Sequence, residues 1–222
     1  MMSDLEVTPA PRRSTVEHIA AELRAAVIAG TLPPGTQLGE ADLAHRFEVS
    51  RGPLREAMQR LVSEGILVAI ANRGVFVTEL TTEDMADIYR ARAAIERGAA
   101  EVLLDGHRRQ AHSALGPPVR EMKAAARAGD GPGVSDADQA FHEALVACSG
   151  SPRLIRAMST LIVETRLCLG ELRTTYPDLR TQVREHEDLR RAIRDAPREQ
   201  VLDHVRAHLE DAVDRLTAKR AG

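Results

Sequence analysis

Apolar residues recur every three or four positions near the start of the chain, which is the spacing of one buried helix face. Ser14 and Glu17 have the spacing of a capping box at the start of the first such run, and Gly30 is placed to end it. Two shorter runs with the same spacing follow. The pattern therefore predicts three helices, over residues 14–30, 40–47 and 50–63.

Two β-prone runs, 66–70 and 75–78, come next, on either side of the segment Ala71-Asn72-Arg73-Gly74. Short apolar runs around a turn that bears Asn and Gly favour a β-hairpin. Three helices followed by such a hairpin make a winged helix-turn-helix, with Arg73 at the tip of the wing. The alternative is a small helical domain in which the hairpin is only structural.

After Thr81 only helical spacing recurs. Glycine and proline predict breaks in it at Gly106, Gly116-Pro117-Pro118, Gly129 to Gly133, Gly150-Ser151-Pro152, Pro177 and Pro197. The helical segments cover about 82–104, 112–128, 135–148, 152–173, 179–195 and 198–219. They predict an all-helical bundle of six or seven helices, in which the glycine-rich segment 129–133 is a loop or hinge. The fold class is thus mainly α, with a flexible arm over 1–13, a winged helix-turn-helix domain over 14–80 and a helical bundle over 81–222.

The composition indicates the kind of core and the compartment. Aromatic residues make up 2% of the chain and tryptophan is absent, so the core has to be built from aliphatic side chains. No apolar run approaches the roughly 18 residues that span a bilayer, and the first residues contain no apolar signal region. Cys148 and Cys168 are the only cysteines, which suits a reducing compartment. We therefore expect a cytoplasmic protein with no membrane partner.

The net charge of −3 does not by itself indicate a nucleic-acid-binding protein, and the first 80 residues hold eight arginines against ten acidic residues. A DNA-binding function depends instead on where the arginines lie. Ser50 is a good N-cap for the third helix, and Pro53 is tolerated in its first turn. Arg51 and Arg55 are four residues apart and lie on one helix face, where each offers a fork to guanine or a contact to phosphate. The pattern predicts a helix that reads the major groove of double-stranded DNA.

A second set of residues has the chemistry of a metal site. Asp138 and His142 are four apart on one predicted helix, and His186 and His208 lie beside the apolar stripes of two later helices. Three imidazoles and a carboxylate that converge inside a bundle would hold a first-row divalent ion and leave positions open for an anionic ligand. The alternative is that these histidines are hydrogen-bonded core residues. His204, one turn before His208, is the most credible replacement ligand.

In these features the chain resembles the GntR family of transcription regulators, in its FadR-like branch with an FCD ligand-binding domain. The resemblance is nearly continuous over residues 16–80, and it is most specific at Ser50-Arg51-Gly52-Pro53-Leu54-Arg55-Glu56-Ala57. In the second half it is sparser. There it rests on Arg92 with Glu96, Asp138 with Phe141-His142, Gly150-Ser151-Pro152, Glu185-His186 and His208-Leu209.

The resemblance implies a homodimer that binds a short palindromic operator and changes its affinity when an effector binds the FCD domain. In such a protein Arg51 and Arg55 would contact bases and phosphates. Ser50, Gly52 and Pro53 would shape the entry of the recognition helix.

Other residues of the DNA-binding domain take their roles from the same resemblance. Arg24 would lie near the DNA backbone or serve in domain packing. The tip of the wing, at the minor groove, would consist of Asn72, Arg73 and Gly74.

The resemblance also matches the metal site at all four ligand positions, which are Asp138, His142, His186 and His208. It implies a divalent transition metal (Zn, Ni or Mn) and a small carboxylate effector. Arg92 would bind that carboxylate, or else form a structural ion pair with Glu96. Gly131-Pro132-Gly133 departs from the family pattern and would loosen the link into the helix that carries Asp138.

Two other classes of function stay open at this point. A metal-dependent hydrolase would use the same ligands to activate water, but no further general base is evident and the helix-turn-helix would be unexplained. A helical interaction module without a ligand predicts that replacing His142, His186 and His208 by alanine changes only local packing. We expect a ligand-responsive, DNA-binding transcription regulator, a repressor, and not an enzyme.

Overall fold

The computed structural model describes residues 15–172 and 178–220, so the predicted arm over 1–13, the predicted cap at Ser14 and the predicted break at Pro177 lie outside the described residues. The side chain of Cys168 also lies outside them. The chain forms two compact units, which divide between Glu79 and Leu80.

Helices and a small sheet make up the first unit. The helices are α1 (Thr15–Ile28), α2 (Glu40–Arg46) and α3 (Arg51–Ser63), and the strands are β1 (Gln37–Leu38), β2 (Leu67–Ile70) and β3 (Gly74–Val77). The strands pair antiparallel in the order β1-β3-β2, so β3 is central. The predicted helices and hairpin are confirmed, whereas β1 is missed because two residues are too few to show an alternating pattern.

The core of the first unit comes from one stripe of each long helix and from the start of β2. Ile19 and Leu23 of α1, Leu54 and Leu61 of α3, and Leu67 are almost completely buried. Helix α1 packs against α3, and this contact leaves the other side of α3 exposed to solvent. The exposed side is the one that carries the two predicted DNA-reading arginines.

Among the described residues, the second unit consists of seven helices, at the upper end of the predicted range. They are α4 (Thr82–Leu104), α5 (Arg108–Ala114), α6 (Gly116–Ala128), α7 (Gly131–Ala147), α8 (Pro152–Leu172), α9 (Leu179–Asp195) and α10 (Arg198–Arg220). Their main core cluster is aliphatic apart from Phe141, and it includes Leu103, Leu115, Leu145 and Ile193. Within the described part of the chain, no helix is long and apolar enough to cross a bilayer.

The helical segment predicted over 112–128 contains a helix boundary in the structure: α5 ends at Ala114 and α6 begins at Gly116, close to the predicted break at Gly116-Pro117-Pro118. The boundary itself is Leu115, and Gly116-Pro117-Pro118 forms the first turn of α6. Proline is tolerated at that position, since the first backbone N–H groups of a helix have no partner within the helix.

The loop or hinge predicted over 129–133 is shorter in the structure, where only Gly129 and Asp130 lie between α6 and α7. Gly129 has a left-handed conformation (φ 70°) and ends α6, and the next helix begins at Gly131. The Asp130 side chain caps α7 by accepting a hydrogen bond from the backbone N–H of Gly133 at 3.0 Å. Gly131-Pro132-Gly133 is therefore the capped first turn of α7, so the expected loosening of the link into this helix is not found.

Candidate nucleic-acid interface and metal centre

The exposed end of α3 brings together the residues predicted to read DNA. Ser50 occupies the N-cap position with an extended backbone, but its side chain makes no capping hydrogen bond. Gly52 and Pro53 lie in the first turn of the helix. Arg51 is exposed and has no ion pair within the described residues, whereas the exposed Arg55 is engaged by an acidic neighbour.

That neighbour is Glu40, the first residue of α2. Its Oε2 atom accepts a hydrogen bond from Nε of Arg55 at 2.7 Å. The pair joins the first turns of the two helices of the helix-turn-helix. It fixes the direction of one arginine before any DNA is bound.

Arg24 lies away from the start of α3. Its Nε and Nη2 atoms lie 3.0 and 2.5 Å from Glu64 Oε2, at the C-terminal cap of α3, and both side chains are about three-quarters buried. The ion pair holds α1 against α3. Of the two roles that the resemblance implies for Arg24, this contact favours domain packing over a place near the DNA backbone.

The wing tip is held by contacts from its own unit. Asn72 and Gly74 have positive φ values of 61° and 105°, which close the turn between β2 and β3. Gln37 of β1 donates from Nε2 to the backbone oxygen of Arg73 at 2.7 Å. The Arg73 guanidinium lies over the Phe76 ring, 5.6 Å from its centroid. The strand missed by the sequence analysis thus braces the wing.

In the second unit, the side chains of Asp138, His142, His186 and His208 converge from α7, α9 and α10. One ligand atom from each lies within 4.8 Å of the others. His186 Nε2 is 3.0 Å from Asp138 Oδ1, and His142 Nε2 is 3.4 Å from His208 Nε2. All four residues are at most 8% exposed. The helical spacing of Asp138 and His142 therefore does place both groups at the cluster.

The outer nitrogens of two imidazoles are engaged, so their inner nitrogens are left to face the cluster. His142 Nδ1 is 2.5 Å from Glu96 Oε2, and His186 Nδ1 is 2.8 Å from the backbone oxygen of Gln182. Each contact places the proton on Nδ1 and the lone pair on Nε2. His208 Nδ1 is 3.6 Å from a carboxylate oxygen of Glu185. Imidazoles that bind metals have their outer nitrogens engaged in the same way.

The carboxylate of the cluster is oriented in the same way. Gln139 donates from Nε2 to Asp138 Oδ2 at 2.8 Å, and Gln182 donates from Nε2 to Asp138 Oδ1 at 2.9 Å.

The residues fit a cation on two further observations. His186 Nε2 is buried and has no hydrogen-bond partner in the described structure, although Asp138 lies close by. The facing Nε2 atoms of His142 and His208 are both acceptors when the rings are neutral with protonated Nδ1, so a cation between them removes their repulsion. Four such donors suit a divalent transition metal.

Burial and neighbouring charges shift the pKa values of the cluster in different directions. Burial would raise the pKa of Asp138, but His186 and His142 outweigh it and hold that pKa well below its usual range. Burial would lower the pKa of His186, but the Asp138 carboxylate raises it. Burial, then the charges of His186 and His142, lower the pKa of His208 well below its usual value. A bound cation would replace the proton that Asp138 favours on His186.

Arg92 of α4 is completely buried beside this cluster. Its Nε donates to Glu96 Oε1 at 3.1 Å, Nη1 lies 3.4 Å from Thr165 Oγ1, and the guanidinium is 4.9 Å from the centroid of the Tyr89 ring. Nη2 lies 3.0 Å from the same Glu96 oxygen but has no hydrogen bond of good geometry among the described residues. Burial would lower the pKa of Arg92, but Glu96, Tyr89 and Asp138 raise it, so the group stays charged. The ion pair with Glu96, one of the two roles that the sequence suggests for Arg92, is present in the structure.

Sequence reasoning missed the residues that hold the ligands in place. Gln182 lies four residues before His186, and helical spacing could have placed it on the same face. Gln139, the neighbour of Asp138, carried no such signal. Glu96 was singled out only as a partner of Arg92. His204 is half-buried and does not join the cluster.

Comparison with known protein families covers both units. Residues 15–77 match the bacterial regulatory proteins of the gntR family, and residues 87–211 match the FCD domain. The second match alone covers more than half of the chain.

Individual proteins resemble the chain over most of its length. An uncharacterized HTH-type transcriptional regulator of Bacillus subtilis, YdhC, is 29% identical over 196 residues, which cover 88% of this chain and 88% of that protein. The gluconate operon transcriptional repressor of Bacillus licheniformis is 29% identical over 205 residues, which cover 90% of this chain and 84% of that protein. A crystal structure of a putative transcriptional regulator GntR from Rhodococcus sp. RHA1 has a TM-score of 0.76 and 26% identity, covering 93% of this chain and 99% of that one.

Proposed function

The chain belongs to the GntR family of bacterial regulatory proteins and carries an FCD domain, and from this premise we propose that it is a repressor controlled by a divalent metal and a small carboxylate. DNA-binding transcription regulation follows from the family, whose members found here are regulators and not enzymes. The metal, the effector, the homodimer and the repressing action are the proposed parts.

The observation that carries the proposal is the convergence of four ligand atoms within 4.8 Å of one another in a buried site. A core histidine without a ligand has its ring nitrogens satisfied by protein groups. Within the described residues, His186 Nε2 has no hydrogen-bond partner, and the Nε2 atoms of His142 and His208 have only a long contact of 3.4 Å with each other. The outer nitrogens of His142 and His186 are engaged. The ligand types suit Zn, Ni or Mn.

A metal at this site supplies positive charge and open coordination positions, to which a carboxylate oxygen can bind. Arg92 supports the same class of effector, because its buried Nη2 atom has a donor that no hydrogen bond uses within the described part of the chain. The guanidinium would hold one carboxylate through paired hydrogen bonds. Its ion pair with Glu96 keeps it in place until the effector arrives.

The DNA-binding unit supports recognition of a palindromic operator by a homodimer. Each chain has one exposed N-terminal end of α3, which carries Arg51 and Arg55. Two chains related by a two-fold axis would therefore read two half-sites. Arg73 at the braced wing tip would reach the adjacent minor groove. Because chromosomal DNA would be its target, we propose that the protein acts in the bacterial cytoplasm.

The effector controls DNA binding only if it binds the DNA-competent and DNA-incompetent arrangements with different affinity. We assign repression relieved by the effector. One relative is the repressor of a gluconate operon, so gluconate belongs in the first panel of carboxylates to be tested.

The test of the metal site is the metal content of protein purified without a histidine tag. Wild type is expected to retain about one divalent ion per chain, and His186→Ala to lose it. His204→Ala is the matched control, since His204 lies on the same helix as His208, is half-buried and is outside the cluster. Equal metal content in wild type and His186→Ala would contradict the site.

A further inference from the structure

We propose that Glu96, which is not one of the four metal ligands, is a positioning residue that sets the metal affinity of the site. The inference rests on the proposed function, because it concerns the same metal centre. The ligands come from α7, α9 and α10, whereas Glu96 belongs to α4. The site would thereby depend on a fourth helix.

The contact between Glu96 and His142 has the geometry of a ligand support. Glu96 Oε2 is 2.5 Å from His142 Nδ1, and both side chains are at most 2% exposed. A carboxylate on the outer nitrogen fixes the ring about its χ angles and keeps the proton away from Nε2. It also increases the electron density on Nε2, which strengthens a bond from that atom to a cation.

Glu96 is itself fixed on its other side. Its Oε1 atom accepts a hydrogen bond from Arg92 Nε at 3.1 Å, within the same helix. The two carboxylate oxygens thus have separate tasks, one toward Arg92 and the other toward His142. A bound effector whose carboxylate drew Arg92 away from Glu96 would leave the Glu96 carboxylate less neutralised, and its contact with His142 would become stronger. Effector and metal would then each increase the affinity for the other.

The requirement for a buried carboxylate would otherwise be hard to explain. An ion pair with no exposure is costly to desolvate and is weak evidence for stability by itself. Glu96 neutralises Arg92 and supports His142 at the same time, which gives the buried charge a use in binding. On α4, Arg97 and Glu101 form a pair with the same spacing, but both side chains are more than one-third exposed and neither belongs to the cluster of four candidate metal ligands.

This second pair provides the matched control. Zn²⁺ affinity of the full-length protein is measured by competition with a chromophoric chelator for wild type, Glu96→Gln, Glu101→Gln and Asp138→Asn. Glu96→Gln is expected to weaken Zn²⁺ binding by about 10–100-fold, the range seen when a group that orients a metal ligand is removed. Glu101→Gln makes the same chemical change in the same helix and is expected to bind as wild type does.

The four proteins separate the two claims. Weak binding by Asp138→Asn together with wild-type binding by Glu96→Gln would overturn the role of Glu96 and leave the metal centre in place. Wild-type binding by Asp138→Asn would overturn the metal centre itself. Weak binding by Glu101→Gln to the same extent as by Glu96→Gln would show a general effect of charge on α4 and would also overturn the role.

A measurement on wild type keeps the inference testable if Glu96→Gln does not fold. In Zn²⁺-loaded protein labelled with ¹⁵N-histidine, His142 is expected to carry its proton on Nδ1, with a strongly deshielded resonance that comes from the short contact to a carboxylate. A zinc-bound Nδ1 at His142, with the proton on Nε2, would contradict the assignment of Glu96. If Glu96 served only in packing, it would not hold the proton of His142 on Nδ1.

Discussion

Two arginines at the start of α3 differ in their surroundings although both are exposed. Arg51 has no ion pair in the described structure, and Arg55 is held by Glu40. In the proposed complex Arg51 would adjust its side chain to a base edge, while the direction of Arg55 is already set by Glu40. A pre-directed side chain loses less conformational freedom when it meets its partner.

Replacing either arginine by alanine is expected to weaken binding to the specific operator by about 1–3 kcal/mol, or roughly 5–150-fold, with little change in binding to unrelated DNA. Arg60→Ala is the control on the same helix. It is nine residues after Arg51, on the opposite side of α3, and it faces Glu17 and Glu64. Fluorescence anisotropy with an operator selected from random duplexes measures both affinities. Specific affinity that survives in both Arg51→Ala and Arg55→Ala would rule out this end of α3 as the reading surface.

A second residue-scale prediction concerns Glu40. Glu40→Gln removes a negative charge next to the DNA surface and releases Arg55, so binding to unrelated DNA is expected to rise while the preference for the operator falls. The pair is exposed, so the free energy of unfolding should change by less than about 1 kcal/mol. The ratio of the two DNA affinities is the decisive quantity. An unchanged ratio would mean that Glu40 does not direct Arg55 in the complex.

At the scale of elements, α4 has the best-defined start in the second unit. The hydroxyl of Thr81 accepts a hydrogen bond from the backbone N–H of Asp84, and the backbone N–H of Thr81 donates to the Asp84 carboxylate at 2.8 Å. The Thr81 hydroxyl also lies 2.6 Å from that carboxylate. This capping box begins the helix that carries both Arg92 and Glu96.

Thr81→Ala is expected to destabilise the second unit by about 1 kcal/mol at neutral pH. The hydrogen bonds from the Thr81 side chain and backbone lower the pKa of Asp84, so their stabilisation is complete above the ordinary aspartate pKa of about 4. It is lost as the pH falls through the lower pKa of the folded state. Urea unfolding of wild type and variant at several pH values should therefore show a difference that shrinks in acid. A difference that grew in acid would contradict the assigned role of the Asp84 carboxylate.

The elements also show what a sequence can and cannot predict. The long amphipathic helices and the hairpin follow from hydrophobic spacing, because each has one face in the core. Pro117 and Pro132 were placed in breaks, yet both lie in first helical turns. A proline at a helix start and a proline in a loop look alike in sequence, since both lack a hydrogen-bonded N–H. The two cases differ only in whether the residues after the proline form a helical turn.

The residues of the candidate site also fall into those that a sequence pattern predicts and those that it does not. Asp138 and His142 share a helix, so their spacing predicts that they lie together. The contact from Glu96 to His142 joins α4 to α7 across 46 positions, and no spacing rule connects side chains of separate helices. Local patterns therefore indicate which side chains could be ligands. The packing of helices decides which residues support them.

At the scale of the whole molecule, two compact units have separate tasks. The first presents Arg51, Arg55 and the braced wing, and the second encloses the four proposed metal ligands and Arg92. The chain passes from the wing into α4, so the helix that carries Arg92 and Glu96 is also the direct covalent continuation of the DNA-binding unit. A ligand that changes α4 is well placed in the chain to act on DNA binding. Such coupling is reciprocal, so operator DNA must change effector affinity by the same factor.

The most direct test is the operator affinity of the zinc-loaded full-length protein, measured by fluorescence anisotropy with and without each member of a panel of small carboxylates that includes gluconate. At least one carboxylate is expected to weaken operator binding by about 5–150-fold in wild type and to have no effect in His186→Ala. Operator affinity that is the same with and without metal, and with every carboxylate, would contradict a metal-centred effector site.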